Sequence, residues 1–398
     1  MCDGEKPSLV SKVKVSIFVL TIVKKVKIGI LGTRGIPNRY GGFEELAEKL
    51  SVLLALKGHE VWVYAPSFTS SGNKQHSGAI VVSIRIPAWL PSSLQTLIYD
   101  LRCLRHANRQ QLNVVLECGY SFSPFLYLFR QKFRNRVVTN MDGMEWQRAK
   151  WGWLARRFLR FAESIAVKQS AEIIADHPVV QEYYQNRYGV SANYISYGAD
   201  FDQPNAPQAL YPPSARGYLL VVSRPEPDNS LNEILHAFKL SSCPLKLMVV
   251  GRFTNSYGRK MAKQYSSDKI LFLGGIYDKP LLISMLEGSL LYLHGHKVGG
   301  TNPMLLEAMA NGCRIVAHNN AYNRSILENR AAFFSSESDL VHIFNRSFEY
   351  ARALAEKGPE NILIIGTHYQ WNDVVNRYEE LFQKLVERNE EKAADCKK

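Results

Sequence analysis

The chain of 398 residues lacks three patterns that would place it quickly in a class. It has no run of 18 apolar residues, which argues against a membrane-spanning helix. Its six cysteines are scattered without a Cys-x-x-Cys pair, so we expect a reducing compartment and neither a disulfide scaffold nor a structural zinc site. No Gly-x-Gly-x-x-Gly fingerprint follows the first predicted strand, which disfavours a dinucleotide dehydrogenase.

Charge is abundant but unevenly spread. The net charge is +13, and residues 1–200 carry +11 of it. A basic first half predicts an anionic partner, for which nucleic acid, an anionic membrane surface and a phosphorylated substrate are all candidates.

The first 25 residues contain one short apolar run, Val15–Val23, between pairs of lysines. The run is too short to span a bilayer, and no small-x-small cleavage site follows it. We therefore interpret residues 1–25 as an N-terminal extension, with an interfacial anchor as the alternative.

From Val26 onward the sequence alternates predicted strands with predicted helices. Val26–Leu31 reads as a buried strand, a glycine-rich loop follows, and Phe43–Lys57 has helical spacing of apolar residues. A proline-rich stretch, Phe201–Pro213, reads as a linker, after which the alternation resumes. The pattern predicts an α/β protein of two doubly wound Rossmann-like domains facing across a cleft, in which ligands bind beyond the carboxyl ends of the strands. The predicted bounds of the two domains are 26–203 and 204–370. Residues 371–398 are predicted to form a C-terminal helix and tail, with the helix packing back towards the first domain.

The loop after the first strand, residues 32–42, combines glycines with two cations, Arg34 and Arg39, and precedes a helix. Backbone N–H groups and a helix N-terminus favour an anion there. Simple turn glycines are the alternative interpretation.

A second glycine-rich loop precedes the predicted helix Pro303–Asn311. Asn302 or Thr301 suits the N-cap and Pro303 the first helical position, so open N–H groups would face the cleft and bind a pyrophosphate. Glu307 lies one turn inside the helix, where a carboxylate can accept both hydroxyls of a ribose. A solvated helix face is the alternative for Glu307.

Two further positions follow predicted strands. Arg224 ends the first strand of the second half, where a guanidinium suits a diphosphate. Asp142 and Gly143 follow the strand Val137–Thr139, a suitable place for a catalytic or acceptor-binding group. An exposed arginine and an ordinary Asp-Gly turn are the alternatives.

Metal chemistry finds little support in the sequence. His294 and His296 form an incomplete ligand set. Asp200-Phe-Asp202 resembles the Asp-x-Asp of metal-dependent sugar transferases but falls at the linker, so we interpret these residues as part of a turn. No metal is expected.

Two stretches mix aromatic and basic residues, Trp146–Phe161 and Phe122–Arg136. A basic, aromatic amphipathic helix is typical of a membrane-surface element. Core-facing helices with solvated arginines are the alternative. Nucleic acid is disfavoured because none of its binding motifs is present.

Taken together, the ordered motifs resemble the GT-B glycosyltransferase fold, and more narrowly glycosyltransferase family four and its bacterial rhamnosyltransferase-like group. The segments that carry this resemblance extend from residue 26 to the last helix, and they include GTRGIPNRYGGFEELAEKL (32–50), NMDGMEWQRAKW (140–151), VVSRPEPDN (221–229) and HGHKVGGTNPMLLEAMANG (294–312).

The resemblance assigns the family's arginine to Arg224 and its ribose-binding glutamate to Glu307. Three positions depart from the family pattern: the usual lysine is Asn229, the glutamate eight residues before Glu307 is Gly299, and the usual histidine is replaced by Asp142. We interpret these departures as a change of donor. The resemblance further implies retention at the anomeric carbon, a membrane-associated acceptor such as a polyprenyl-diphosphate-linked glycan, and no metal.

The resulting hypothesis is a metal-independent, retaining glycosyltransferase of bacterial surface polysaccharide synthesis, with dTDP-rhamnose as donor and no cofactor. It would be cytoplasmic and peripheral on the inner face of the cytoplasmic membrane, with a lipid-linked or glycan acceptor. A UDP-sugar donor, a nucleotide-sugar epimerase of the same fold and a non-catalytic nucleotide-sugar binder are the alternatives. The predicted residues are Asp142, Arg224 and Glu307 for catalysis; Gly41, Gly42, Arg224, Asn229, Gly299, Gly300, Thr301, Asn302 and Glu307 for the nucleotide-sugar; and Arg34, Arg39, Tyr40, Asp142 and Glu145 for the acceptor.

Overall fold

The computed structural model describes residues 24–69, 71–128, 131–200 and 217–395. The predicted N-terminal extension, except for Lys24 and Lys25, and the predicted linker Phe201–Pro213 lie outside the described residues. The domain boundary proposed at 203/204 lies there as well, and it stays a prediction.

The first domain contains a sheet of eight strands in the order β3-β4-β2-β1-β5-β6-β7-β8. All neighbouring pairs are parallel except β3–β4, which forms an antiparallel hairpin at one edge. The central strands are buried on both faces, as expected of a parallel sheet covered by helices. The strand bounds are β1 Lys27–Leu31, β2 Glu60–Ser67, β3 Gly72–His76, β4 Ala79–Arg85, β5 Val114–Cys118, β6 Val137–Asn140, β7 Glu172–Ala175 and β8 Asn193–Tyr194.

The second domain contains a parallel sheet of six strands in the order β11-β10-β9-β12-β13-β14. Here too the order reverses beside the first strand of the domain, which creates a crevice at the carboxyl ends. The strand bounds are β9 Leu219–Val222, β10 Leu247–Val250, β11 Ile270–Gly274, β12 Leu291–His294, β13 Ile315–His318 and β14 Ala332–Phe334.

Helices connect successive strands in both domains. In the first domain they are α1 Gly42–Leu56, α2 Ser92–Arg109, α3 Ser123–Tyr127, α4 Gln131–Arg134, α5 Trp153–Gln169 and α6 Pro178–Tyr188. In the second they are α7 Leu231–Leu240, α8 Ser256–Tyr265, α9 Lys279–Gly288, α10 Pro303–Ala310, α11 Ala321–Leu327, α12 Glu337–Asn345, α13 Ser347–Ala353 and α14 Lys357–His368, followed by α15 Trp371–Asp395. No helix within the described residues has the length and apolar composition needed to cross a bilayer.

The two aromatic, basic stretches are not continuous helices, so that part of the sequence interpretation was wrong. Residues 145–147 form a single 3-10 turn, and α5 begins only at Trp153 after the N-cap Gly152. The indole N–H of Trp146 donates to Glu163 and that of Trp151 to Glu145, which turns both rings into the protein. The stretch Phe122–Arg136 is likewise divided into the short helices α3 and α4.

Helix α15 follows the second domain in sequence but packs against α1 and β5 of the first. Its Tyr378, Phe382 and Leu385 are almost fully buried in one core cluster with residues of both sheets. A polar contact reinforces the packing, since the carboxylate of Glu379 accepts hydrogen bonds from Lys57 and His59. The helix therefore contributes to a core shared by the two domains, and its residues do not line the cleft.

This packing makes Phe382 a stability determinant of the whole molecule. Phe382 is 1% exposed, and replacing such a phenylalanine by alanine costs about 3–5 kcal/mol. We expect Phe382→Ala to lower the free energy of unfolding by that amount in a urea titration followed by circular dichroism. Phe348→Ala, at a ring 45% exposed, is the matched control and should change it by less than about 0.5 kcal/mol. Equal effects of the two variants would contradict the packing described.

Candidate active site

A cleft of about 1380 Å³ lies between the two domains and is lined by both. Its walls are the loops that follow the carboxyl ends of β1, β5 and β6 in the first domain and of β9, β10 and β12 in the second. Two parallel sheets that face each other in this way bring residues far apart in sequence into one site.

The loop between β12 and α10 forms one wall, but its helix N-terminus is already occupied. Asn302 Oδ1 accepts hydrogen bonds from the N–H groups of Met304, at 2.9 Å, and Leu305, at 3.4 Å. The N–H of Thr301 donates to Asp176 Oδ2 at 3.0 Å. Among the hydrogen bonds of the described residues, the N–H groups of Gly299 and Gly300 have no acceptor. The loop therefore has fewer free N–H groups for an anion than the sequence indicated.

Asp176 was missed in the sequence analysis, although it directly follows the buried strand β7. Its side chain is fully buried, and this burial raises the pKa of the carboxyl well above its ordinary value. The Thr301 hydroxyl also donates to the backbone carbonyl of Asp176. A Cβ atom on Gly300 would lie 1.9 Å from Asp176 Oδ1, so only glycine fits beside this carboxylate. Asp176 thus anchors the second domain's loop to the first domain.

Asp142 lines the opposite wall, two residues after the end of β6, and Gly143 follows it. Asp142 has a φ of 49°, an unusual backbone conformation for a residue other than glycine. Burial raises the pKa of its carboxyl, and the guanidinium of Arg148 partly offsets that effect. A Cβ atom on Gly143 would lie 2.8 Å from the backbone carbon of Gly299. The two domains therefore approach each other backbone to backbone at this point.

Arg148 is a second residue that the sequence analysis missed. Its guanidinium lies 3.9 Å from Asp142 and 3.8 Å from Glu226 of the second domain, and it donates to Glu145. The N–H of the next residue, Ala149, donates to both carboxylate oxygens of Asp228 across the cleft. No local sequence pattern predicts the contacts with Glu226 and Asp228, which join residues about 80 positions apart.

Arg224 lies at the end of β9 and lines the cleft with a side chain that is 45% exposed. Its partner among the described residues is Glu226, at 3.9 Å, so the guanidinium is available to a ligand. Asn229, unlike Arg224, does not line the cleft. It is 1% exposed, and its amide donates to the backbone carbonyl of Arg224 at 2.8 Å. Asn229 is therefore bound to its own loop, and its predicted contact with the nucleotide-sugar stays a prediction.

Glu307 lines the cleft from α10 and is 6% exposed. Its Oε1 accepts a hydrogen bond from Lys279 Nζ at 3.1 Å. Lys279 also donates to Asp200, which accepts from Lys49 as well. Asp200, considered above with Asp202 as a metal motif, is thus paired with two lysines, while Asp202 lies outside the described residues.

Glu45 of α1 faces the same cluster from the first domain. Burial and the neighbouring carboxylate of Glu307 raise the pKa of Glu45 to about 7. Glu45 was not among the sequence candidates, since it lies on a helix with an ordinary amphipathic pattern.

The glycine-rich loop after β1 lines the cleft through Arg34, Tyr40, Gly41 and Gly42. The Arg34 guanidinium stacks on the ring of Tyr40, 3.5 Å from its centre. Gly42 approaches the other domain, because a Cβ atom there would lie 3.2 Å from Pro303 Cγ. Arg39 is exposed and does not line the cleft, and its predicted contact with the acceptor stays a prediction.

The two histidines of the second loop stack with ring centres 4.5 Å apart. Burial lowers the pKa of His294 to about 3, with His318 adding to the effect, and burial lowers the pKa of His296 as well. Both rings are therefore neutral near pH 7. Across the part of the chain that the structure describes, no group of three or more His, Cys, Asp or Glu side chains could hold a metal ion.

Comparisons with known proteins agree with this architecture. Residues 202–363 match the family Glycosyl transferases group 1, and residues 24–200 match a Domain of unknown function (DUF1972). A search of curated protein sequences finds no significant match.

Among solved structures, sucrose-phosphate synthase from Thermosynechococcus elongatus is similar with a TM-score of 0.75 at 17% identity, covering 91% of this chain and 99% of that one. WaaG, a glycosyltransferase involved in lipopolysaccharide biosynthesis, has a TM-score of 0.69 at 13% identity, and the match covers 89% of this chain and 99% of that one. Anabaena HepE in complex with UDP and glucose has a TM-score of 0.67 at 14% identity, with coverages of 90% and 100%.

The chain is a glycosyltransferase of the GT-B fold. Its second domain is a group 1 glycosyltransferase domain. The predicted fold class is confirmed, as is the prediction that the protein is an enzyme that transfers sugars.

Within this glycosyltransferase the cleft brings together most of the predicted site residues. Glu145 lines it too, but its carboxylate is bound by Arg148, Lys150 and the indole of Trp151. Although burial raises the pKa of Glu145, these cations lower it overall. Glu145 therefore holds its own loop in place rather than offering a free carboxylate to an acceptor. The predicted residues that line the cleft are Arg34, Tyr40, Gly41, Gly42, Asp142, Glu145, Arg224, Gly299, Gly300, Thr301, Asn302 and Glu307.

The backbone contact between Gly143 and Gly299 can be tested by adding a single methyl group. Gly143→Ala would bring a Cβ within 3.0 Å of three backbone atoms of the other domain, so we expect the domains to separate. The radius of gyration from small-angle X-ray scattering should increase. Gly152→Ala is the control, since a Cβ at Gly152 meets no atom within 4 Å. An unchanged radius in Gly143→Ala would contradict the close approach.

Proposed function

We propose that this glycosyltransferase transfers L-rhamnose from dTDP-rhamnose, with retention at the anomeric carbon, to a lipid-linked or glycan acceptor in bacterial surface polysaccharide synthesis. The observation that carries the proposal is the cleft itself, in which Glu307, Arg224 and the free amides of Gly299 and Gly300 line one wall while Asp142 lines the other. The resemblance of the sequence motifs to the rhamnosyltransferase-like group supports the choice of donor.

The wall formed by the second domain suits a nucleoside diphosphate. Glu307 would accept a hydrogen bond from the sugar of the nucleoside. Arg224 and the N–H groups of Gly299 and Gly300 would receive the diphosphate and stabilise the charge that develops as it departs. HepE, solved with UDP and glucose, and a trehalose-6-phosphate enzyme solved with UDP-2-fluoroglucose are built on a similar fold. They support a nucleotide-sugar as donor class.

The wall formed by the first domain would hold the acceptor. Asp142 lies opposite the Gly299 loop, and Arg34 with Tyr40 frames the cleft beyond it. Burial keeps the pKa of Asp142 raised, which suits a group that exchanges a proton with a hydroxyl. We propose that the reaction needs neither a metal nor a cofactor.

A UDP-sugar donor, an epimerase and a non-catalytic binder remain as alternatives. An epimerase acts without an acceptor, and a binder releases no nucleotide from its donor. Nucleotide release that requires an added acceptor would distinguish the proposed transferase from both.

Arg224 provides the first test of the diphosphate site. Losing a charge-assisted contact costs about 1.5–3 kcal/mol, so Arg224→Ala should lower kcat/KM about 10- to 150-fold. The assay measures acceptor-dependent release of dTDP from dTDP-rhamnose. Arg352→Ala, at an exposed arginine on α13, is the control and should retain full activity. A folded Arg224→Ala enzyme with unchanged kcat/KM would exclude this role.

The same assay tests metal independence. Because Asp200 is paired with lysines rather than left open, we expect transfer to persist in an excess of a strong chelator. Loss of activity that manganese or magnesium restores would contradict the proposal.

We further propose that the enzyme lies on the inner face of the cytoplasmic membrane. On α5, Trp153, Leu154 and Phe161 are 67%, 66% and 59% exposed. Three exposed arginines, Arg156, Arg157 and Arg160, lie on the same helix. Apolar side chains beside cations suit an anionic bilayer, where each arginine contributes about 1 kcal/mol.

Vesicle co-sedimentation tests this membrane surface on a chain lacking residues 1–23. We expect binding to anionic vesicles and little to neutral ones, with loss of binding at 1 M salt. Charge reversal of Arg156, Arg157 and Arg160 should release the protein. The control reverses three exposed cations on α8, namely Arg259, Lys260 and Lys263. Equal binding to neutral and anionic vesicles, or to neither, would contradict the proposal.

A further inference from the structure

Two histidines in the wall formed by the second domain have ring nitrogens without a hydrogen-bond partner. His294, the last residue of β12, is 1% exposed, and both of its ring nitrogens are enclosed and unpaired. His296 Nδ1 is enclosed and unpaired as well. The other nitrogen of this ring, Nε2, also lacks a partner among the described residues, but it is not enclosed, and the side chain lines the cleft. His296 therefore has one ring nitrogen that a ligand in the cleft can reach.

The structure holds His296 in this position. Its backbone carbonyl accepts hydrogen bonds from the side-chain amides of Asn320, at 2.9 Å, and Asn323, at 3.1 Å. The ring stacks on His294 with the centres 4.5 Å apart and the planes at an angle of 21°. The imidazole is thus oriented before a ligand binds, which reduces the entropy that binding would cost.

The charges that act on this ring are positive. Burial lowers the pKa of His296, and His294 and the guanidinium groups of Arg224 and Arg148 lower it further. The ring is therefore neutral and carries one N–H and one bare nitrogen. Because Nδ1 has no partner, no hydrogen bond fixes the proton there, and Nε2 is able to carry it towards an acceptor.

The same wall contains the other groups to which we assign the diphosphate. His296 precedes Gly299 and Gly300 in one loop, and the N–H groups of these glycines are free. Arg224 lies close enough for its charge to act on the imidazole. The ligand that meets these groups together must offer acceptor oxygens and negative charge, because each of them donates a hydrogen bond. A diphosphate has both.

We propose that His296 is a further substrate-binding residue, which donates a hydrogen bond from Nε2 to the diphosphate of the nucleotide-sugar. The inference rests on the proposed function, because it takes this wall as the place of the diphosphate. It adds a neutral donor to Arg224 and the two loop amides.

The test measures the binding of dTDP and UDP, which share the diphosphate, to the full chain by isothermal titration calorimetry. His296→Phe keeps an aromatic ring against His294 but has no N–H, so we expect it to raise both dissociation constants about tenfold, a difference of about 1.4 kcal/mol. His296→Ala, with the same expected loss, replaces it if the phenylalanine variant does not fold. His296→Gln offers an amide N–H and should restore both constants to within about threefold of the wild type.

His368→Phe is the matched control, since His368 is an exposed histidine at the end of α14, and it should bind both nucleotides as the wild type does. Thymidine has no phosphate, so its dissociation constant, measured by nuclear magnetic resonance, should be equal in all variants.

Unchanged binding of the nucleotides by His296→Phe, or a loss that thymidine shares, would overturn the role of His296. A loss that His296→Gln does not restore would overturn it as well. Failure of the wild type to bind either nucleotide would instead overturn the proposed donor class, and the inference with it.

Discussion

The carboxylate of Asp176 is the constraint on which the rest of the cleft depends. It comes from the first domain, lies fully buried, and accepts the N–H of Thr301 in the loop that leads into α10. The absence of a side chain at Gly300 makes this contact possible. Because the contact fixes the second domain's loop against the first domain, it also brings Gly299 against Gly143 and sets the width of the cleft where the reaction would occur.

Two clusters of charged side chains in the cleft hold the domains together, and the remaining groups are left to bind a ligand. Arg148 joins Asp142, Glu145 and Glu226, and Lys279 joins Asp200 and Glu307. Each cluster spans both domains, so each stabilises the closed arrangement. A cation that is already paired with several carboxylates contributes little to the binding of an anionic ligand. For this reason we assign the diphosphate to Arg224 and the loop amides.

The sequence predicted those parts of the site that depend on local position. Arg224 and Asp142 were found because each lies two residues after the end of a strand, and Glu307 because it lies one turn inside a capped helix. Asp176 occupies a similar position after β7 and could have been proposed by the same reasoning. Arg148 and Lys279 could not, since each has a partner in the other domain, Glu226 for Arg148 and Asp200 for Lys279. Arg39 and Asn229 do not line the cleft, because spacing does not tell which way a loop side chain points. The helix expected from Trp146 begins only at Trp153, after the N-cap Gly152, and the indoles of Trp146 and Trp151 are hydrogen-bonded to Glu163 and Glu145.

Hydrogen exchange at single amides tests the closed cleft most directly. The N–H of Thr301 is bound to Asp176, and that of Ala149 is bound to Asp228 of the other domain. In the unliganded enzyme, followed by nuclear magnetic resonance, both amides should exchange slowly, whereas the free amide of Gly300 should exchange fast. Fast exchange at Thr301 and Ala149 together would mean that the domains are open without ligand, and it would contradict the account.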